Sequence, residues 1–195
     1  MSNAGIKRER IVRSAKALFH ERGYTVTSLA DIAQEAKVPL GNVYYYFKTK
    51  EDLVATVVEG RNEYVRARHR ALEKAPTPLA RLEDFLQRIH DAADSRAAHG
   101  CPVGGLAQEA GKLGGRIAQE AGSTFQIMLE WVGEQYRALG FKPGQARERA
   151  VDLVAAVQGS ILLGHSSGDA ELIRRAMQRL QARLRLLVKE GKRHA

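Results

Sequence analysis

Apolar residues recur at helical intervals almost from one end of this chain to the other. Over residues 6–22, Ile11, Ala15, Leu18 and Phe19 stand at i, i+4, i+7 and i+8, the single stripe of an amphipathic helix, and Gly23 is placed to stop it. Leu29, Ile32, Ala33 and Ala36 form the buried face of a second helix of about ten residues. Thr27 or Ser28 can cap it, and Asp31, three residues after Ser28, completes a capping-box pattern. Lys37-Val38-Pro39-Leu40 then breaks the period, because proline fixes its own φ and drives the preceding residue out of the helical region. A short third helix starts near Leu40, with Val43 and Phe47 one turn apart and able to face inward. Thr49 and Asp52 make another capping box, which opens a long fourth helix to roughly Lys74.

Two prolines in Ala75-Pro76-Thr77-Pro78 cannot continue that helix and mark the clearest boundary. Beyond it Leu82, Phe85, Leu86 and Ile89 give one stripe over Leu79–Ala98. After a glycine-rich stretch, Phe125, Met128, Leu129, Val132 and Tyr136 give another. The last two helices are expected over 145–164 and 169–189, the second with Leu172, Ile173, Ala176, Met177, Leu180, Leu184, Leu187 and Val188 in near-heptad order. No alternating strand pattern of useful length and no internal repeat interrupts this. The expected fold is all-α with about nine helices. A three-helix N-terminal domain covers 1–50, a linking helix 51–75 and a further helical domain 76–195.

With 195 residues, 44% of them hydrophobic, the chain can bury a substantial core. No run approaches the roughly 18 uninterrupted apolar residues of a membrane span, so a soluble protein without membrane partners is expected. Met1-Ser2-Asn3-Ala4-Gly5 lacks the apolar core of a secretory signal, which places the protein in the cytoplasm. One cysteine makes no internal disulfide, and six scattered histidines show no zinc-site spacing, so neither a metal nor another cofactor is implied. A net charge of +9 and a pI near 9.9 favour an anionic partner without choosing among membrane, RNA and DNA. Placement says more: residues 1–50 hold nine Lys/Arg against four Asp/Glu, with Lys7, Arg8, Arg10 and Arg13 crowded at the start.

Two short helices joined by a tight turn, the second carrying small, amide, aromatic and basic groups, suit recognition of the DNA major groove. Asn42 can hydrogen-bond a base edge, Leu40 or the ring edges of Tyr44 and Tyr45 can touch thymine methyls, and Gly41 permits close approach. Tyr44, Tyr46, Lys48 and Lys50 can reach phosphates, as can Thr27, Ser28 and the amides at that helix start. The competing reading is a plain three-helix bundle with Tyr44-Tyr45-Tyr46-Phe47 as core. A short helix cannot bury every side of itself, so at least one tyrosine stays exposed beside the cations.

The spacing Thr27-Ser28-x-x-x-Ile32-Ala33-x-x-Ala36-x-Val38-x-x-Gly41-x-x-Tyr44-Tyr45-Tyr46-Phe47-x-x-Lys50-x-x-Leu53 resembles the signature of the TetR/AcrR repressors, after a matching first helix that ends Phe19-x-x-x-Gly23-Tyr24. The resemblance implies an all-helical homodimer with a small DNA-binding domain, a divergent ligand-binding domain and dimerisation through the last two helices. Val154, Ile161, Ile173, Met177, Leu180 and Leu184 are then the expected dimer contacts. Thr27, Gly41, Asn42, Tyr44, Tyr45, Tyr46, Lys48 and Lys50 fall where such proteins touch DNA. Lys37 departs from the pattern: that turn position is usually glycine, which suggests a left-handed backbone that lysine adopts at a cost of roughly 1 kcal/mol.

Gly100-Cys101-Pro102-Val103-Gly104-Gly105-Leu106-Ala107-Gln108-Glu109 is similar to a segment of the YxaF/LmrA-like branch of that family. A pocket among the middle helices is implied, and Phe85, Ile89, Cys101, Phe125, Met128, Trp131 and Tyr136 are candidate lining, with Tyr64 reaching in from the fourth helix. Each of these is equally a packing residue of the kind any bundle requires. Cys101 is read either as a small packing residue or as a thiol sensing oxidants and electrophiles. Gly111-Lys112-Leu113-Gly114-Gly115 lacks the order of a phosphate loop and is read as a break between helices. The functional expectation is a repressor that binds double-stranded operator DNA and is released by an unidentified small molecule. The Pro76-x-Pro78 boundary and the fourth helix would transmit the signal. An enzyme with Cys101 as nucleophile lacks an orienting group and oxyanion donors. A helical interaction module binding a partner through residues 172–188 is the remaining alternative.

Overall fold

Amphipathic periodicity becomes helix throughout the computed structural model, which describes the backbone of residues 3–191 and the side chains of residues 4–189. Met1, Ser2 and residues 192–195 lie outside the described residues, and with them part of the expectations for Met1–Gly5 and for the end of segment 76–195. The helices are α1 (Asn3–Glu21), α2 (Leu29–Glu35), α3 (Leu40–Tyr46), α4 (Lys50–Leu72), α5 (Pro78–Asp91), α6 (Ala93–His99), α7 (Gly104–Leu113), α8 (Gly115–Ala138), α9 (Pro143–Ser167) and α10 (Ala170–Gly191). Only Ala92 separates α5 from α6, and counting that pair as one gives nine helices among the described residues, the number expected. Among the described residues there is no strand.

Local chemistry sets the ends. Gly23, with φ 94°, turns the chain out of α1. Thr49 and Asp52 exchange hydrogen bonds at 3.2 and 3.1 Å to open α4, and the Thr77 hydroxyl caps α5 through the Ala80 N–H at 3.1 Å, just ahead of Pro78. Gly168, left-handed at φ 66°, ends α9.

The chain packs as two units: Met1–Tyr64 with Pro102–Thr124, and Val65–Cys101 with Phe125–Ala195. In the first, Ile11, Ala15, Leu18 and Phe19 of α1 meet Ile32 and Ala33 of α2, Val43 of α3, and Leu53, Val54, Val57 and Val58 of α4. Ala110 of α7 and Ile117 and Ala121 of α8 lie in that same core. Asn62 of α4 ties in α8, donating to the Ser123 hydroxyl at 2.8 Å and accepting from the Thr124 hydroxyl at 2.6 Å. The packing units therefore do not follow the consecutive segments 1–50, 51–75 and 76–195. Segment 102–124 carries apolar side chains that fit the N-terminal core, and the glycine-rich stretch proves to contain a helix, α7. Its glycines disfavour that helix by up to about 1 kcal/mol each, and burial of Leu106, Ala107 and Ala110 offsets this. The break expected at Gly111–Gly115 falls at Gly114, φ 73°.

In the second unit α10 packs on α5, α6 and α9 around Leu82, Leu86, Ile89, Trp131, Val132, Val154, Ile161, Ile173, Met177 and Leu184. Gly164 lets α9 and α10 cross closely, since a Cβ there would collide with the Ile173 side chain. His69 stacks on Trp131 at 4.5 Å between ring centroids, and burial pulls its pKa from the usual 6.5 down to about 4.

Two outcomes follow from these packings. Lys37 has φ 53°, so Lys37→Gly relieves a left-handed side chain and raises stability by about 1 kcal/mol, read as a higher urea midpoint at unchanged slope; an unchanged or lower midpoint contradicts the strain. The unfolded chain protonates His69 near pH 6.5 and the folded chain only near 4, so the stability held by the neutral ring is complete above 6.5 and drains as pH falls toward 4. His69→Phe keeps the stack and flattens that fall in urea titrations; equal pH slopes for both proteins would refute it.

Candidate nucleic-acid interface

The N-terminal three helices place their chemistry by burying a narrow stripe. Ser28 is the N-cap of α2: its hydroxyl accepts the Asp31 N–H at 3.1 Å and its own N–H donates to the Asp31 carboxylate at 2.7 Å. Those Ser28 contacts hold the Asp31 carboxyl below the usual range. Thr27 is a correction. It is 2% exposed and its hydroxyl donates to the Gly23 carbonyl at 2.7 Å, so it shapes the turn before α2 instead of facing a phosphate.

After α2, Lys37 takes the left-handed conformation that its glycine-like position requires. Pro39 at φ −56° starts α3, and Val43 and Phe47 turn inward, 0% and 3% exposed. The opposite surface carries Leu40, Tyr44 and Tyr45 at 40%, 49% and 74% exposure, with Asn42 half-buried between them. Tyr46 is half-buried and packs edge-on against Tyr45 at 5.0 Å. Nothing lies within 4 Å of where a Gly41 Cβ would stand. Lys48 is exposed. Lys50 is held back: its Nζ lies 4.1 Å from the centre of the Tyr24 ring and donates to the Thr25 carbonyl at 3.4 Å. Burial lowers its pKa, against the opposing pull of Glu51, Glu109 and Asp31.

Three contributors escape sequence periodicity. Arg10 of α1 donates to the carbonyls of Ala36 and, at 3.0 Å, Lys37, closing the end of α2 and bracing the strained turn. Tyr24 donates to Glu51 at 3.2 Å, and its hydroxyl pKa is raised to about 12, by burial first and then by that carboxylate. Glu109 of α7 accepts the Thr25 N–H at 2.7 Å. All three join residues 27 or more positions apart, or, for Arg10 and Ala36, 26, beyond the reach of a helical repeat.

The expected ligand residues divide between the units. Tyr64 belongs to the first, exposed and with Lys16 Nζ 5.6 Å from its ring centre. The other seven belong to the second. Ile89, Trp131 and Tyr136 are buried in its core, Phe85, Cys101 and Phe125 pack partly buried against it, and Met128 is half-buried. The Trp131 indole Nε1–H is buried with no acceptor among the described residues. Tyr136 also borders a groove with Arg149, Leu153, Leu180 and Leu184.

The expected dimer contacts need correcting. Val154, Ile161, Ile173, Met177 and Leu184 are at most 6% exposed inside the chain's own core, and Leu180 packs against it. The near-heptad stripe of α10 faces α5 and α9 of the same chain. Outward on α9 and α10 stand Val151, Leu162, Leu163 and Leu186, between 46% and 59% exposed.

Comparison with known proteins agrees with this geometry. The profile described as "Bacterial regulatory proteins, tetR family" matches residues 11–57, and "Transcriptional regulator LmrA/YxaF-like, C-terminal domain" matches residues 78–179. An uncharacterized HTH-type transcriptional regulator from the lacX 3' region of Lactococcus lactis subsp. lactis is 30% identical, over 85% of this chain and 87% of its own. The HTH-type transcriptional regulator LmrA of Bacillus subtilis is 28% identical, over 82% and 86%. A TetR-family regulator from Agrobacterium tumefaciens superposes with a TM-score of 0.83 at 26% identity, over 93% of this chain and 98% of that one. Relatives and fold are those of regulators, not enzymes, and among the described residues no helix is long and apolar enough to cross a membrane. With a helix-turn-helix reader matched at one end and an LmrA/YxaF-like half at the other, the chain belongs to the TetR family of DNA-binding bacterial transcriptional regulators.

Proposed function

We propose that this regulator is a homodimeric repressor that sets α3 of each protomer in the major groove of operator DNA in the cytoplasm and leaves it when a small molecule binds the second unit. The observation that carries the reading is the outward surface of α3. Leu40, Gly41, Asn42, Tyr44 and Tyr45 present apolar, amide and phenolic groups of the kinds that read base edges, while Val43 and Phe47 hold the helix from behind. Ser28, Tyr46, Lys48 and Lys50 flank that surface as backbone contacts. The small molecule is assigned to the aromatic region of Phe85, Phe125, Met128 and Trp131, where the unpartnered indole N–H offers a hydrogen bond to an acceptor on the ligand. To switch binding, the ligand must favour one conformation over another by typically about 1–3 kcal/mol.

The second copy is assigned to the outward face of α9 and α10. Val151, Leu162, Leu163 and Leu186 are large apolar side chains facing outward on the last two helices, and relatives of this family are typically dimers. Such a dimer spaces its two recognition helices about 34–36 Å apart, one turn of DNA, or by a multiple of that.

Sequencing the fragments that the purified protein selects from its source genome identifies the operator. On that DNA, Gly41→Ala folds normally, because open space surrounds the site, but weakens binding by crowding the base edges. Tyr44→Ala costs roughly 1–3 kcal/mol of specific affinity, whereas Lys48→Ala weakens all sequences alike and lowers the salt slope by about one unit. Wild-type DNA affinity that ignores salt would exclude the reading. Leu162→Glu is expected to give a helical monomer by light scattering, with lost operator affinity; a dimer that survives it moves the interface elsewhere.

A further inference from the structure

Segment 102–124 joins the second unit at both of its ends, through Cys101 and Phe125, yet its side chains complete the core of the first. Beside the fully buried Ala110, Glu109 reaches the loop between α1 and α2. One carboxylate oxygen accepts the Thr25 N–H at 2.7 Å; the other lies so close over Gly23 that an added Cβ would stand 2.7 Å from it. Gly23 also has φ 94°, so the backbone conformation favours glycine beneath this carboxylate. On its carbonyl side Thr25 takes a hydrogen bond from Lys50 Nζ at 3.4 Å, with the ammonium against the Tyr24 ring at 4.1 Å. One residue of the reader is thus bracketed by a carboxylate from α7 and by the cation at the start of α4.

We propose that Glu109 is a positioning residue that sets DNA affinity: its carboxylate competes with DNA phosphate for Lys50 and draws the ammonium back toward Thr25, so that Lys50 engages a phosphate only in part while that charge is present. The inference rests on the assignment of Lys50 as a backbone anchor. Opposite charges on the two sides of Thr25 attract across a partly exposed loop, which is weak enough for DNA to compete with. A carboxylate at this point also repels phosphate, so both effects act in the same direction.

Glu109→Gln keeps an acceptor for the Thr25 N–H and removes only the charge; Glu109→Ala removes both. Binding of the full-length variants to a mixed-sequence DNA duplex is measured across a salt series, alongside melting curves that monitor the fold. Fuller engagement of that phosphate steepens the dependence of log affinity on log salt by up to about 0.9 and makes Glu109→Gln roughly threefold tighter at low salt. Glu109→Ala shows the steeper slope too, whatever it loses in stability, and the gain disappears when Lys50→Ala is added. A Glu109→Gln protein that binds like wild type or more weakly at every salt concentration overturns the proposal, as does a gain that persists without Lys50. If Lys50→Ala alone leaves affinity and slope unchanged, the anchor assignment fails first. If Lys50→Ala weakens binding but Glu109→Gln gains nothing, only the role of Glu109 falls.

Discussion

Val43 within a helix of seven residues and Phe47 at its C-cap pack inward, and the chemistry of the outward surface of α3 depends on that pair. Two turns of helix bury one stripe and no more, so fixing these two side chains in the core forces Leu40, Tyr44 and Tyr45 outward. The anchor needs a firm bed. About fifty residues alone make a marginal core, because small domains bury a low fraction of their surface. Here α7 and the start of α8 add Ala110, Ile117 and Ala121 to the same core, enlarging it with side chains from far along the chain.

The turn between α2 and α3 shows how a local penalty is tolerated. Lysine at φ 53° is strained, and a β-carbon in that conformation crowds the following carbonyl. Arg10 answers with two hydrogen bonds to the carbonyls at the end of α2, one of them on Lys37 itself. A guanidinium presents several donors in one plane and can close two carbonyls together, which an ammonium does less well. The turn is thus held from α1, and Arg10, in the basic cluster at the start of the chain, has a structural task.

Helix type and order were legible in the chain because each helix buries a stripe, and the glycine-like demand at Lys37 was legible from resemblance alone. Thr27 misled because a hydroxyl before a helix can cap, contact a phosphate or turn back on its own chain, and only the fold shows that the Gly23 carbonyl takes it. The heptad-like run of α10 misled for a different reason: periodicity says that a face is buried, not by which molecule. Ile173, Met177 and Leu184 are covered within the chain, which leaves Leu186 on another side of the same helix. The helix in the glycine-rich stretch was hidden because its stability comes from tertiary burial and its propensity points the other way.

That weakness bears on regulation. Gly111 lowers the intrinsic stability of α7 by up to about 1 kcal/mol relative to alanine, and the helix is short, so it is held by its docked side chains more than by its own backbone. Such elements open at lower cost than the rest of a fold. A coupling of about 1–3 kcal/mol is too small to rebuild a core, so a ligand acts on how side chains already in place are set. Glu109 stands on that helix, and its carboxylate accepts the Thr25 N–H of the loop between α1 and α2 at 2.7 Å. The two ends of the segment run into the second unit through the covalent chain.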